Sequence, residues 1–93
     1  MAAELVEKTT RYRRLLREAL DDVKKVEGMD PFLVKIADDY YNMAESYYAD
    51  GLHFFDAEDL VNALVCFSYG HAWLDAGVRL GVFRVTKRDL FAA

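Results

Sequence analysis

Residues 66–81 read CFSYGHAWLDAGVRLG, and the fold turns on how this stretch is understood. Phe67 and Leu74 keep helical spacing, yet Gly70 and Gly77 lie inside the same run, and an interior glycine costs a helix about 1 kcal/mol against alanine. Glycine is worth that cost where another backbone must approach closely. The complement is written upstream. Small residues recur every seven positions at Ala37, Ala44 and Gly51, and again at Ala63, Gly70 and Gly77. Folding the chain back about residue 57 sets Gly51 against Ala63, Ala44 against Gly70 and Ala37 against Gly77. Large residues follow the same pivot: Phe54 meets Leu60, Tyr47 meets Phe67 and Tyr40 meets Leu74. An antiparallel helical hairpin with alternating small and large layers accounts for both series.

Working outward, three helices are expected, at about 4–27, 31–55 and 58–80, with a short tail over 81–93. The first carries Leu5, Tyr12, Leu16, Ala19, Val23 and Val26 as one apolar stripe. Gly28 ends it. Asp30-Pro31 then supplies an N-cap with proline at the first helical position. In the tail, Thr86 with Asp89 three residues on predicts one further capped turn. The third helix also has a second stripe, Cys66, Tyr69, Trp73, Ala76 and Leu80, about 100° round from the first. Either the first helix or a second copy of the chain would cover it. Tyr41, Tyr48 and Phe55 make a comparable flank on the second helix, and whichever flank stays bare is a candidate interaction surface. The expected architecture is all-α, a single domain over residues 1–93 forming a three-helix bundle on a long helical hairpin.

Composition agrees with one small domain. The chain has 93 residues, 54% of them hydrophobic, enough to bury roughly 60–65% of the unfolded surface. The single cysteine, Cys66, has no intrachain partner and sits in an apolar context, as a reduced core thiol would. There is no basic-then-apolar leader and no uncharged run long enough to span a bilayer, so a cytoplasmic protein with no membrane partner is expected. Charge is unevenly placed. Residues 30–59 hold eight Asp/Glu and only Lys35 as a base, a region that repels nucleic acid. The basic run RYRRLLRE at 11–18 has acidic residues four positions away, Glu7 to Arg11, Arg14 to Glu18 and Arg17 to Asp21, which suits a solvated helix face more than a phosphate-binding patch.

Few constellations invite chemistry. Ser68, His71 and Asp75 share one helix face, but three side chains along a straight helix cannot form a converging triad and an oxyanion hole together. His71 is better read as a histidine bonded to Asp75 or, across the hairpin, to Tyr40 or Tyr47, and Asp75 with Arg79 as a helical ion pair. Asp50, His53, Asp56 and Asp59 gather near the turn, where a solvated acidic cluster is a simpler reading than a metal site. No phosphate-cradling glycine loop is written in the chain. No catalytic residue, metal or cofactor is expected. The candidate binding or interface residues are Tyr40, Tyr47, Tyr69, His71, Trp73, Asp75 and Arg79.

Residues 40–83, YYNMAESYYADGLHFFDAEDLVNALVCFSYGHAWLDAGVRLGVF, resemble the archaeal domain of unknown function 357 family. Its tyrosine-rich helix is followed by a helix in which Ala63, Leu64, Phe67, Ser68, Tyr69, His71, Trp73, Leu74, Asp75, Ala76 and Gly77 hold the characteristic places. The resemblance implies an archaeal, cytoplasmic, all-helical domain; similar domains occur beside cytidylyltransferase-like domains, and no activity accompanies the family. The hairpin is also similar to a single tetratricopeptide unit, with Asp75 where the terminal proline of such a unit would stand. It likewise resembles the higher-eukaryote-and-prokaryote nucleotide-binding (HEPN) helical domains, without the arginine that ribonucleases of that class place four to six residues before a histidine. A non-enzymatic module that self-associates or docks on a protein partner is therefore expected, with a small-ligand or nucleotide-binding accessory domain to a separate nucleotidyltransferase as the alternative.

Overall fold

The computed structural model describes residues 2–92 and contains the expected hairpin. Helix α1 spans Ala3–Asp22, α2 Pro31–Asp56 and α3 Leu60–Leu80. A two-residue strand β1 (Lys24–Lys25) pairs antiparallel with β2 (Phe83–Arg84), and a 3-10 turn occupies Arg88–Leu90. The molecule is rod-like, 48 × 22 × 16 Å, because α2 alone, at 26 residues, is about 39 Å long.

Local chemistry sets the ends of the hairpin. The Asp30 carboxylate accepts from the Phe32 and Leu33 N–H groups with Pro31 in the first turn, satisfying donors that α2 itself cannot. At the other end Glu58 takes a left-handed φ of 63°, so the chain reverses after Asp56, and Asp59 caps α3 through Asn62. Gly81, at φ 91°, ends α3 with its N–H on Val78 O while Val82 N–H reaches Gly77 O, the Schellman arrangement.

The core cluster joins Leu16, Ala19 and Leu20 of α1 to Ala37 and Ala44 of α2, Ala63, Phe67 and Leu74 of α3, and Val82 and Phe83 of the tail. Gly70 packs as its pairing with Ala44 required: a Cβ there would lie 3.2 Å from Ala44 O, 3.1 Å from Tyr47 Cβ and 3.0 Å from Leu16 Cδ2. The other two glycines make room for different residues than expected. The ring of Phe67 fills the space beside Gly51, one helical turn past Ala63, and Phe83 fills the space beside Gly77. The aromatics shift similarly: Tyr40 packs on Trp73 and Tyr47 on Tyr69. Rings are long enough to lean past their nominal opposite and enter the gap a glycine leaves.

Three boundaries differ from expectation. Helix α1 stops at Asp22 rather than near 27, because Val23 turns extended (ψ 139°) and the next residues pair with the returning tail. Val26 N–H donates to Val82 O at 3.0 Å, so the segment between α1 and α2 satisfies its backbone through the tail. Helix α3 begins at Leu60, after Asp59, instead of at 58. The tail turn is a 3-10 turn entered from Lys87; Thr86 bonds to Asp22 rather than capping it.

Helix α1 covers only one flank of the hairpin. Arg13 lies over Phe55, Arg17 over Tyr48, and the Tyr41 hydroxyl donates to Leu20 O, so α1 runs antiparallel to α2 along Tyr41, Tyr48 and Phe55. Of the second stripe of α3, for which α1 was the first candidate cover, Cys66 is buried and Trp73 half-buried, while Tyr69, Ala76 and Leu80 stay open.

Candidate functional site

Two groups of expected site residues fall on opposite sides of the hairpin. On the side away from α1, four rings form a continuous ladder: Tyr40 to Trp73 with centroids 5.1 Å apart, Trp73 to Tyr69 at 6.4 Å, and Tyr69 to Tyr47 at 4.7 Å, each edge to face. Edge-to-face contacts set the positive rim of one ring against the negative face of the next and hold such rings in fixed geometry. Tyr69 remains 51% exposed, and Val61, Val65 and Leu80, on the same side of α3, are 61%, 58% and 53% exposed. A shallow hollow of about 200 Å³ lies among Tyr40, Tyr69, Ala72, Trp73 and Ala76.

His71 and Asp75 face the tail. His71 Nε2 lies 2.6 Å from Leu90 O, so that nitrogen carries the proton and donates. Asp75 Oδ1 accepts from Ala92 N–H at 3.0 Å. His71 therefore bonds to the tail rather than to Asp75, Tyr40 or Tyr47, because the tail brings a backbone carbonyl within reach of the ring. Asp75 likewise pairs with the tail and not with Arg79. Among the described residues the ion pairs are Arg14–Glu18, Arg17–Asp21 and Lys25–Asp38, and Arg79 belongs to none. Beneath the tail, Tyr12, Leu15, Ser68, His71 and Phe91 border a second hollow of about 400 Å³.

The tail has a third anchor. Asp22 accepts from Thr86 N–H and Oγ1–H and from Lys87 N–H. Desolvation works to raise this carboxyl, but the bonds from Thr86 and Lys87, with the Lys87 charge, together bring it below its ordinary value. Sequence spacing could not find Asp22, Thr86, Leu90 or Phe91 as partners, since the contacts join residues far apart in the chain. The one local signal was the apolar pair Val82-Phe83 directly after a helix-ending glycine.

The Cys66 thiol is pushed up by burial and by the charge of Asp50, the reverse of what a nucleophile needs. Among the described residues no three His, Cys, Asp or Glu side chains gather to hold a metal ion, and no helix is long and apolar enough to cross a membrane.

Comparison with known proteins agrees with this architecture. The family described as "Protein of unknown function (DUF357)" matches residues 11–83. A crystal structure of protein AF1782 from Archaeoglobus fulgidus, assigned to the same family, is similar at a TM-score of 0.69 and 25% sequence identity, over 89% of this chain and 95% of that one. No curated protein matches the chain.

Proposed function

The chain belongs to the DUF357 family of proteins of unknown function, and since that name carries no activity we propose, from the geometry, a non-enzymatic helical interaction module docking a protein helix on the outer face of α2 and α3. The observation that carries this reading is the aromatic ladder, Tyr40, Trp73, Tyr69 and Tyr47, continuous with exposed Val61, Val65 and Leu80. Tyrosine and tryptophan supply large contact area at low entropic cost and dominate binding hot spots. A helix laid between α2 and α3 would complete a four-helix arrangement, as α1 does on the other flank. The exposed carboxylates Asp39 and Asp50 on α2 weigh against nucleic acid and anionic lipid as partners. The lone buried Cys66 fits a reducing, cytoplasmic setting.

The test is a photocrosslinking residue at position 69, with position 14 on the outer surface of α1 as control, in cells of the source organism or a close relative. A discrete protein adduct at 69 and none at 14 is expected. Equal yields at both positions overturn the reading.

A second reading, a small-ligand or nucleotide-binding accessory domain to a separate nucleotidyltransferase, has the hollow under the tail in its favour. It requires a ligand to displace Leu90 from His71. Nucleotides that raise the melting temperature of the wild-type chain but not of His71→Ala would favour it.

A further inference from the structure

Resting on the interaction reading above, we propose that the partner on the open face is a second copy of this chain, packed α3 against α3, antiparallel, about a two-fold axis level with Gly70 and His71 but on the opposite, exposed side of the helix. The exposed stripe of α3 is self-complementary in that orientation and in no parallel one. Reflection about the point between residues 70 and 71 places Val61 on Leu80 of the copy, Val65 on Ala76 and Tyr69 on Ala72. The stripe thus presents its bulkier side chains Val65 and Tyr69 in one half and its alanines in the other. An isologous contact sets one half on the other. The hollow bordered by Tyr69, Ala72 and Ala76 lies where Val65 and Tyr69 of the copy would enter, a knob meeting a hole.

Charge argues for the same orientation. Helix α3 carries two charged side chains, Asp75 and Arg79, and Asp75 is turned to the tail, so closing the stripe buries no charge at its centre. At the N-terminal end of the stripe stand the exposed Asp56 and Glu58, and at its C-terminal end the exposed Arg79, outside every ion pair described above. Antiparallel packing brings each copy's Arg79 beside the other's acidic turn, twice by symmetry. Parallel packing sets Arg79 beside Arg79. From Val61 to Leu80 the stripe is about 29 Å long. A helix pair of that length buries on the order of 500 Å² per copy, at the lower end for specific interfaces, so an affinity on the order of micromolar is expected.

Sedimentation velocity on the full chain, from roughly 1 to several hundred micromolar, spans the dissociation constants on the order of micromolar expected for such a contact. The wild type should pass from monomer to dimer. Tyr69→Glu should weaken the dimer more than tenfold with helicity unchanged by circular dichroism, while Glu7→Ala on α1 should not alter it. Arg79→Glu, a surface change with no packing role, should weaken it about tenfold, and adding Asp56→Lys with Glu58→Lys should restore it. A monomer throughout overturns the proposal, as does a dimer indifferent to Tyr69→Glu or unrescued by the charge exchange. A monomeric chain that still crosslinks another protein from position 69 would refute the second copy and leave the interaction module standing.

Discussion

The two flanks of α2 are built from paired rings used in opposite ways. Tyr40-Tyr41, Tyr47-Tyr48 and Phe54-Phe55 are neighbours in sequence, repeated every seven residues, and successive side chains on a helix diverge by about 100°. The second ring of each pair faces α1, where Arg13, Arg17 and the Leu20 carbonyl engage it. The first ring of the earlier pairs lies on the other side and stacks edge to face on rings of α3. On the α1 flank guanidinium groups stack on the rings and the Tyr41 hydroxyl is bonded. On the other the rings meet one another edge to face, and although Tyr40 and Tyr47 are half-buried like Tyr41 and Tyr48, Tyr69 opposite them is 51% exposed. Identical residue types therefore report nothing by themselves; the polar partners opposite them separate a closed interface from an open one.

The largest effect should come where both flanks meet. Gly70 touches Leu16 of α1 and Tyr47 and Ala44 of α2 together, so Gly70→Leu should lose about 3 kcal/mol in urea unfolding, at the upper end for overpacking. A loss below about 1 kcal/mol would mean that the helices are further apart than described.

The flanks themselves separate next. Tyr47 and Tyr48 are both half-buried, so in dilute monomer Tyr48→Ala should cost more than Tyr47→Ala by the stacked Arg17 alone, about 0.5–1 kcal/mol. Equal losses would break the distinction between a closed and an open face.

The smallest effect concerns the tail that completes the closed side. The bonds to Asp22 favour its ionised form in the folded chain. Its contribution is therefore whole above the ordinary carboxylate range and lost as pH falls through the depressed folded value. Amide exchange at Thr86 and Lys87 should lose protection on acidification relative to the α3 core. Asp22→Asn should show that loss already at neutral pH, and unchanged protection in this variant would remove Asp22 as the anchor.

Much of this was legible in the sequence. The seven-residue series of small residues gave the hairpin, and the Asp30-Pro31 and Gly81 signals located two helix ends well. Ala44 against Gly70 is a contact readable by arithmetic, and two of the three expected α1 ion pairs are present. The partners of Gly51, Gly77 and His71 were not legible. Each depends on a ring or a tail that reaches past its nearest opposite. The end of α1 was hidden for a related reason: Val23 and Val26 fit a helix stripe as well as a strand, and only the return of Val82–Arg84 decides between them. Which flank α1 would cover was undetermined because Tyr40 and Tyr41 offer the same chemistry on either side.

The β1–β2 clasp has a kinetic meaning. The hairpin closes over a three-residue turn, whereas Lys24 and Lys25 find Arg84 and Phe83 only after a loop of some sixty residues has been drawn together. By loop length alone that closure is about 2–3 kcal/mol more unfavourable in entropy than closure of the turn. The order of assembly follows: α2 with α3 first, then α1, then the clasp, which is also the first to open. A folding transition state already sensitive to Phe83→Leu would contradict that order. The clasp thus behaves as a latch, holding shut a bundle whose helices have already met.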